Sequence, residues 1–427
     1  MSAVAMLHFA GPPYVGGVEM TMAAHAHVLA AHGRPVRIVA GKGGEVGPGV
    51  ELRLLPELGS RGELAERLAR ELAAGVVSDA FYALVERLAS WLAEALAGCE
   101  VAIVHNVLSL HKNLAFTAAL RRLHEAGAAP RLLAWCHDFA WLDPLYTPEL
   151  HAGYPWDLLR EAWHGVRYVV VSEDRRAMLA GLLGLNQADV AVVTPGVDLA
   201  SFLKLEPETV ALAERLGLLE AAPLLLLPAR VTRRKNIELA VAIIGAMRRQ
   251  GNDARLVVTG PPGPHNPSNA AYLAELLALR EASGAGEGVI FLYERFTDEA
   301  GQPRPVSDAM LADLFHLADG LLFPSRYEGF GIPVLEAGLS GLPIFCSDIP
   351  PLRATAGPAA HPFRLDDDPE LIGRRIAAAL AADPRYSLRR RVRTTYTWEA
   401  IYRRDIVPLL EERPDPAAAP VRAGLAR

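Results

Sequence analysis

The chain is poor in cysteine and has a small net charge. Its three cysteines, Cys99, Cys136 and Cys346, are spread over 427 residues. They form no C-x-x-C pair, so neither a zinc site nor a disulfide framework is indicated, and we expect a reducing compartment such as the cytoplasm. The formal net charge is −6 at pH 7, so no overall basic field points to a nucleic-acid partner.

Long apolar runs are also missing. No run approaches the ~20 residues that a membrane helix needs, and the first residues lack the basic start of a signal peptide. The sequence does not show whether a helix surface contacts a membrane, and it does not show the oligomeric state. What the chain does have is 51% apolar residues, which can form large cores. Its length predicts two or three domains, at ~100–200 residues each.

Short apolar segments alternate with helix-forming segments along the chain. This alternation predicts an α/β fold of the doubly wound type, with parallel strands joined by right-handed crossovers. Residues 61–98 predict two helices broken near Gly75, and residues 156–164 predict another helix. Strands are predicted at 4–9, 36–40, 101–104, 131–135, 168–171, 190–193, 224–227, 255–259, 289–292, 320–324 and 342–346.

Glycines follow the first two predicted strands. Gly16 and Gly17 lie at the expected start of a helix, where backbone N–H groups favour an anion, although a turn that only packs is an equal alternative. The cluster GKGGEVG at 41–47 lacks the dinucleotide-binding spacing and is predicted to be a loop.

Polar side chains follow three strands of the first half. Because carboxyl ends of parallel strands share one edge of a sheet, these side chains are candidates for a site, although a lone histidine after a strand is more often structural. They are His105, Asn106, His111, Lys112, His137, Asp138, Ser172 and Glu173.

The stretch from Ser325 to Phe345 combines two carboxylates with a glycine loop. Glu328 and Glu336 are separated by seven residues, with Gly331 between them. A strand, a loop and a helix are predicted, with Glu328 in the loop and Glu336 in the first helical turn. Carboxylates beside an anion-binding loop suit a ligand with hydroxyls and phosphates, such as a nucleotide sugar. Two solvated surface glutamates are the alternative.

This stretch resembles the E-x7-E motif of the retaining glycosyltransferases of family 4. The resemblance implies the GT-B fold, in which two Rossmann-like doubly wound domains face a central cleft. It predicts an acceptor-side domain at 1–199, a nucleotide-sugar domain at 220–395 and a segment at 396–412 that crosses back to the first domain. Residues 413–427 are predicted to be disordered from their composition. The resemblance is specific at 16–19, 195–198, 230–235 and 328–336.

The family pattern implies a role for each matching residue. Catalysis is assigned to Arg230, Lys235, Glu328 and His137. Arg offers a planar fork of donors and Lys a point charge, which together fit two phosphates, whereas Arg233 and Arg234 are expected to be surface charges. The donor site comprises Gly16, Gly17, Arg230, Lys235, Tyr293, Arg295, Glu328, Phe330, Gly331 and Glu336. Within it, Glu336 is expected on the ribose, and Tyr293 and Arg295 are expected to border the base. Outside the matching motifs, the strand-end residues His111, Lys112 and Asp138 are the candidates for binding the acceptor.

The implied activity is metal-independent transfer of a hexose with retained anomeric configuration. The donor would be of the UDP-glucose or GDP-mannose type, and a hydroxyl of a sugar, a small molecule or a lipid-linked group would accept the hexose. No tightly bound cofactor is expected, and the triplet at 366–368 is predicted to start a helix and not to bind a metal. A nucleotide-sugar epimerase of related fold, a phosphorylase-like enzyme and a non-catalytic nucleotide-sugar-binding protein are the alternatives.

Overall fold

The structure is a computed structural model that describes residues 3–14, 16–263 and 268–412. The predicted tail at 413–427 lies outside these residues. The chain divides into two compact units, one comprising Met1–Gly196 and Trp398–Arg427 and the other Val197–Thr397. The predicted linker after residue 199 therefore belongs to the second unit, and the chain returns to the first unit at Trp398.

The first unit is built on a seven-stranded parallel sheet with the order β3-β2-β1-β4-β5-β6-β7. The central strands are buried along nearly their whole length, as expected for a sheet covered on both faces. The strands are β1 (Ala3–His8), β2 (Val36–Ala40), β3 (Val50–Leu54), β4 (Cys99–His105), β5 (Arg131–Cys136), β6 (Arg167–Val170) and β7 (Val190–Val192).

Helices connect these strands, and a C-terminal segment joins them. They are α1 (Gly17–Ala31), α2 (Glu63–Ala73), α3 (Asp79–Ala95), α4 (Leu114–Glu125), α5 (Glu173–Leu183), α16 (Trp398–Ile401) and α17 (Val407–Glu411). A π-helical turn, Tyr402–Ile406, joins the last two. The segment packs on α1, where the rings of His32 and Tyr402 stack with centroids 4.3 Å apart.

The second unit repeats the same plan with six parallel strands in the order β10-β9-β8-β11-β12-β13. The strands are β8 (Leu224–Leu227), β9 (Arg255–Val258), β10 (Val289–Phe291), β11 (Gly320–Phe323), β12 (Ile344–Ser347) and β13 (Ala360–Phe363). All four leucines of β8 are buried.

The helices of the second unit cover both faces of its sheet. They are α6 (Leu199–Leu203), α7 (Pro207–Arg215), α8 (Ile237–Arg249), α9 (Ser268–Ala282), α10 (Leu292–Arg295), α11 (Asp308–Leu317), α12 (Ile332–Leu339), α13 (Pro350–Ala356), α14 (Pro369–Ala382) and α15 (Pro384–Thr395). Within the described ranges, no helix combines the length and the apolar character needed to cross a membrane.

Both sheets have the strand order of a doubly wound Rossmann fold, so the predicted fold class is confirmed. In such a sheet the order reverses at one point, and ligands bind outside the carboxyl ends of the strands there. The reversal lies between β1 and β4 in the first unit and between β8 and β11 in the second. These two places are where functional side chains are expected.

Several local predictions differ from the structure. Residues 156–164 are not a helix, because only the short 3-10 turn Trp156–Leu159 forms there. The edge strands β3 and β13 and the helices α13 and α15 were not predicted. The predicted loop at 41–47 and the break near Gly75 agree with the structure. Asp368 caps α14, which agrees with the prediction that the acidic triplet starts a helix.

A buried ion pair fixes the start of β8. Asp319 Oδ2 lies 2.8 Å from Arg393 Nη2 and accepts the Leu224 N–H at 2.8 Å. Arg393 Nη1 also donates to the Leu317 carbonyl at 2.8 Å. The side chains of Arg393 and Asp319 are 2% and 0% exposed, so this pair is closed to ligands and links α15 to the sheet.

Candidate active site

Two loops meet at the reversal point of the second unit. One follows β8 and carries Lys235, and the other follows β11 and carries Glu328. Since β8 and β11 are hydrogen-bonded neighbours running parallel, both loops leave the same edge of the sheet. The backbone also joins them, because the Arg326 N–H donates to the Arg234 carbonyl at 2.9 Å. The strand order therefore brings together side chains more than ninety residues apart in sequence.

Glu328 is the acceptor at the centre of this cluster. Lys235 Nζ donates to Glu328 Oε1 at 2.5 Å, and Ser325 Oγ donates to the same oxygen at 2.7 Å. Arg234 Nη1 donates to Glu328 Oε2 at 2.9 Å and to the Tyr327 carbonyl at 3.1 Å. Two cations thus flank one carboxylate, which leaves the cluster with a net positive charge.

Burial and charge act in opposite directions in the Lys235–Glu328 pair. Desolvation lowers the pKa of Lys235 below its usual value, although the hydrogen bond to Glu328 opposes the shift. Burial alone would raise the pKa of Glu328, but the hydrogen bonds from Lys235 and Ser325 outweigh it and hold that pKa below its usual range. Glu328 is therefore charged at neutral pH, and Lys235 becomes neutral at a lower pH than an exposed lysine does.

Arg234 is a candidate site residue that the sequence analysis missed. It was expected to be a surface charge together with Arg233. Only Arg233 fits that description, because its guanidinium pairs with Glu275 at 2.7 Å on the exposed surface. Both arginines lie in the 3-10 turn Arg233–Lys235, and only its geometry distinguishes them. No signal in the sequence separates the two residues.

Arg230 is exposed and lies in the loop that follows β8. Within the described part of the chain, no hydrogen bond or ion pair holds its side chain. Its backbone is fixed by Gly260, where an added Cβ would lie 2.5 Å from the Ala229 carbonyl oxygen and 2.7 Å from Arg230 Cα. Gly260 therefore packs closely against the backbone of Arg230, and the Arg230 side chain is exposed. Arg230 is five residues before Lys235 in the sequence.

The loop before α12 depends on one glycine and not two. Gly331 has φ +97° and would place a Cβ 2.6 Å from Leu352 Cδ2, so it requires glycine. Gly329 has no positive φ and open space around it, so its conformation does not require glycine. Phe330 is exposed, and its carbonyl accepts from Thr355 Oγ1 at 2.7 Å. Glu336 is half-buried and lies in the second turn of α12, not the first.

The residues predicted to border the base are not part of the cluster. Tyr293 and Arg295 lie in α10, a single helical turn after β10. Arg295 pairs with Glu287 at 2.8 Å, and its carbonyl accepts from Arg215 at 2.6 Å. No contact between described residues joins either side chain to Glu328, so their assignment to the base stays a prediction.

Three histidines follow neighbouring strands of the first unit. His8 ends β1, His105 ends β4, and His137 follows β5. His8 Nδ1 lies 2.8 Å from the His105 carbonyl, which can only accept, so His8 carries its proton on Nδ1. His105 Nδ1 lies 3.2 Å from His137 Nε2. Burial lowers the pKa of His137 to about 4, so His137 is a neutral hydrogen-bonding group at pH 7.

Asn106 fixes the loop that carries His137. It has φ +57°, is buried, and accepts the backbone N–H groups of His137 and Asp138 on Oδ1 at 2.7 and 3.2 Å. Its Nδ2 donates to Asp138 Oδ2 at 3.2 Å. Asparagine tolerates left-handed backbone better than most residues. Asn106 was grouped with polar strand-end candidates, and the structure shows that it is a positioning residue.

The other predicted residues of the first unit occupy three places, after β1, β4 and β5, at the same sheet edge. Gly16 caps α1 with extended backbone, and Gly17 has open space around its Cα. His111 and Lys112 lie in the turn before α4, where His111 Nε2 donates to Glu149 at 2.9 Å. Asp138 is exposed, and its second oxygen lies 3.9 Å from Arg175. In the described part of the first unit, no contact joins His111 or Lys112 to His137.

Among the described residues, no group of three or more histidine, cysteine, aspartate or glutamate side chains is arranged to hold a metal ion.

Both units have the doubly wound sheet that the predicted GT-B fold requires, and in the second unit two cations contact a carboxylate where the strand order reverses. Residues 211–395 match the model of the family described as "Glycosyl transferases group 1". The matched part of the chain includes Lys235, Glu328 and Glu336. The match agrees with the predicted resemblance to glycosyltransferases.

Relatives with assigned names match different lengths of the chain. The D-inositol 3-phosphate glycosyltransferase of Kineococcus radiotolerans is 30% identical over 191 residues, which cover 44% of this chain and 40% of that protein. The mannosylglucosylglycerate synthase of Thermotoga maritima is 26% identical over 382 residues, or 82% of each chain. The chain thus spans less than half the length of the Kineococcus relative.

A solved structure also aligns with nearly the whole chain. The crystal structure of WaaG, a glycosyltransferase involved in lipopolysaccharide biosynthesis, aligns with 99% of this chain and 100% of its own, at 17% identity and a TM-score of 0.33. A score this low describes a loose superposition. The assignment of the fold comes from the strand orders of the two sheets.

Proposed function

We propose that this protein is a retaining glycosyltransferase that moves a hexose from a nucleotide-diphosphate sugar to a hydroxyl of an acceptor. The observation that carries the proposal is the cluster of Lys235, Arg234 and Glu328 at the reversal point of the second sheet. Cations and a carboxylate in one place match the phosphates and hydroxyls of a single ligand. The family match of residues 211–395 supports the same reaction.

The second unit binds the donor in this proposal. Lys235 and Arg230 contact the diphosphate, and the start of α12 faces the same charge. Glu328 accepts hydrogen bonds from sugar hydroxyls, and Glu336 accepts from the ribose. Arg234 orients Glu328, because it holds the carboxylate oxygen that Lys235 does not contact. UDP-glucose and GDP-mannose are the donor types that we propose.

Charge develops on the leaving group during glycosyl transfer. As the bond from the anomeric carbon to the phosphate oxygen breaks, the diphosphate becomes more negative, so donors aimed there act most strongly in the transition state. Lys235 and Arg230 supply that stabilisation in place of a metal ion. We therefore propose that transfer is metal-independent, which a rate unchanged by a chelator would support.

Transfer proceeds with retention in this proposal. The leaving phosphate oxygen accepts the proton of the acceptor hydroxyl, and the new bond forms on the face from which the phosphate departs. His137 contributes as a neutral partner at the reacting sugar, since its pKa of about 4 keeps it uncharged at pH 7. His105 and Asn106 hold its ring and backbone.

The first unit binds the acceptor. The proposal is supported by polar side chains at the carboxyl edge of its sheet, including His111, Lys112 and Asp138. The names of two relatives include a phosphorylated or acidic compound, D-inositol 3-phosphate in one and mannosylglucosylglycerate in the other. A sugar, a small phosphorylated acid and a lipid headgroup are the acceptor classes considered.

The three free cysteines are compatible with the cytoplasm as the compartment.

Thermal-shift screening with UDP-, GDP- and ADP-sugars tests the donor part of the proposal. A ligand that binds only the folded protein raises the apparent stability by about 2.7 kcal/mol at one hundred times its Kd. We expect one nucleotide series to raise the melting temperature and the matching nucleoside to raise it less. The absence of a shift with every nucleotide sugar would contradict the proposal.

Product analysis separates the proposed reaction from its rivals. A glycosyltransferase needs both donor and acceptor, and NMR of the product gives the anomeric configuration. An isomerised sugar from donor alone would indicate an epimerase, and phosphate-dependent cleavage of a glycoside would indicate a phosphorylase. Donor binding without turnover on any acceptor tested would favour the non-catalytic alternative.

A further inference from the structure

The loop after β11 is held at successive residues. The Ser325 carbonyl accepts a hydrogen bond from Ser347 Oγ, at the end of β12, at 2.5 Å. The Arg326 N–H donates to the Arg234 carbonyl at 2.9 Å, and the Tyr327 carbonyl accepts from Arg234 Nη1 at 3.1 Å. These contacts fix the backbone of the loop immediately before its catalytic candidate.

A further contact holds the side chain of Arg326. Its Nη2 lies 2.9 Å from Glu238 Oε1, and Glu238 lies in the first turn of α8. Lys235 is three residues before Glu238, and Glu328 is two residues after Arg326. The pair of Arg326 with Glu238 is therefore a second link between the loops after β8 and β11, in addition to the link from Lys235 to Glu328.

Glu238 is itself held from a third element. Its Oε2 accepts a hydrogen bond from the hydroxyl of Tyr272, which lies on α9. Burial raises the pKa of Tyr272, and the hydrogen bond to Glu238 raises it further, so the hydroxyl keeps its proton and donates. Tyr272 is 2% exposed. Both carboxylate oxygens of Glu238 thus have partners in the protein, and one of these partners is a buried side chain.

The two links between the loops differ in what they offer a ligand. In the proposed function Lys235 binds the diphosphate and Glu328 binds the sugar hydroxyls, so the donor competes with the hydrogen bond between them. Among the described residues, neither the Glu238 nor the Arg326 side chain forms a hydrogen bond or an ion pair with Lys235 or Glu328. The Glu238–Arg326 pair therefore still joins the two loops when the donor is bound.

We propose that Glu238 is a positioning residue, which acts through Arg326 to hold the loop that carries Glu328 against the turn that carries Lys235. The consequence for the donor rests on the proposed function, because Glu328 there binds the sugar. The positioning itself does not, because it can be measured without a ligand. The side chains of Arg326 and Glu238 are 54% and 31% exposed, and such a pair changes an equilibrium by up to about fivefold.

Hydrogen exchange followed by mass spectrometry tests the positioning in the full chain without ligand. Glu238→Ala should raise exchange in peptides that contain residues 325–328 about threefold to fivefold, because the Arg326 side chain loses its partner. Tyr272→Phe should raise it less, about twofold, because Glu238 keeps Arg326 but loses its own anchor. The control is Glu275→Gln, which breaks an exposed pair with an arginine and should leave exchange in this loop unchanged.

A double variant tests whether Glu238 acts through Arg326. Arg326→Ala should reproduce the effect of Glu238→Ala, and the double variant should exchange no faster than either single variant. Multiplied effects, about tenfold or more in the double variant, would mean that the two side chains act independently and would overturn the inference. Equal exchange in Glu238→Ala and the original protein would overturn it as well. Melting temperatures establish that each variant is folded.

Affinity for the donor gives a readout that a purely structural role would not move. Isothermal titration calorimetry measures the Kd of UDP and of UDP-glucose, and likewise of GDP and of GDP-mannose. The Kd of the diphosphate divided by the Kd of its sugar should fall about threefold in Glu238→Ala, because Glu328 loses its alignment with the sugar. It should not fall in Glu275→Gln. An unchanged ratio in Glu238→Ala would contradict the inference.

The proposed function fails in a different way. If the original protein binds neither nucleotide sugar, the proposed function is contradicted, and the exchange measurements still decide whether Glu238 holds the loop. If a nucleotide sugar binds and exchange in Glu238→Ala is unchanged, only the positioning role is contradicted.

Discussion

Two of the ion pairs in the second unit have similar chemistry but lie in different surroundings. Arg393 and Asp319 are 2% and 0% exposed, and each also bonds to backbone. Lys235 and Glu328 are 11% and 7% exposed, and their neighbour Arg234 is 47% exposed. The first pair joins a helix to a strand. The second lies in two loops at the edge of the sheet where ligands bind.

The difference shows what separates a structural pair from a site. Asp319 and Arg393 direct their hydrogen bonds inward, to the Leu224 N–H and the Leu317 carbonyl. In the other cluster two cations share a single carboxylate, so positive charge is left over beside an open loop. Burial of a charge pair alone therefore does not indicate function. An excess of one sign at a strand end marks a candidate site.

The largest effect on stability is expected from Asp319→Ala. It leaves the buried Arg393 without its carboxylate, which typically costs about 3–5 kcal/mol, and it removes the acceptor of the Leu224 N–H. Urea unfolding should report this loss, and nucleotide binding per folded molecule should not change. The control is Arg364→Ala, which breaks the exposed pair with Asp366 and should leave the unfolding curve unchanged. A loss below about 1 kcal/mol for Asp319→Ala would contradict a structural role.

Lys235→Ala should damage catalysis more than stability. Loss of one donor to the developing charge is expected to lower kcat about 10²–10³-fold, while Arg234 still partners Glu328. Steady-state kinetics with the preferred donor measure the effect. Lys204→Asn is a suitable control, because Lys204 is exposed and has φ +58°, which asparagine tolerates. An unchanged kcat for Lys235→Ala would remove this residue from the reaction.

Glu336→Ala should affect binding of the donor more than the chemical step. If Glu336 only holds the ribose, its loss raises KM about tenfold, the value of one hydrogen bond to a charged group, and leaves kcat nearly unchanged. The same kinetic series measures both parameters. Equal falls in kcat for Lys235→Ala and Glu336→Ala, with KM unchanged, would contradict this division of roles.

The pair of variants Arg234→Gln and Arg233→Gln compares two adjacent arginines. Arg234 holds Glu328, so its loss should lower kcat/KM about threefold to tenfold, within the range of one charged hydrogen bond. Arg233 pairs with Glu275 on the surface, and its loss should change nothing. Indistinguishable kinetics of the two variants would contradict the role given to Arg234.

A dependence on alkaline pH is the smallest predicted effect, because it disappears at neutral pH. Desolvation lowers the pKa of Lys235 below 10.5, so the cation is present below that pKa and is lost as the pH rises through it. Affinity for the nucleotide should fall over this alkaline range, while Glu328 stays charged. Lys235→Arg should abolish the fall, since arginine does not titrate there. Persistence of the fall in that variant would assign it to another group.

Most of the fold could be predicted from the alternation of apolar and helical segments. The missed strands lie at the sheet edges, where the pattern is weakest. β3 carries charges at alternate positions, and β13 contains Pro362, which is tolerated only at an edge. α15 is rich in arginine and lacks a clear apolar period. Edge strands and polar helices depend on neighbours that a single sequence does not reveal.

The site was predictable where a motif coincided with a strand end. Lys235 and Glu328 were proposed for one site, and the pairing of β8 with β11 brings them into contact. The sequence could not show that Arg234 and not Arg233 contacts Glu328, because the direction of each side chain depends on the turn between β8 and α8. The contact of His105 with His137 depends on the register of β4 and β5, in which His105 aligns with Trp135. Spacing in the sequence does not give that register.

The central claim is that Lys235, held in the cluster with Glu328, binds the diphosphate of the donor. Isothermal titration calorimetry measures the Kd of UDP and of uridine, and likewise of GDP and of guanosine. The Kd of the nucleoside divided by the Kd of its diphosphate gives the contribution of the two phosphates. We predict that this ratio falls at least about tenfold in Lys235→Ala, the value of one charge-assisted hydrogen bond, and not in Arg233→Gln. A ratio equal in Lys235→Ala and the original protein would contradict the account.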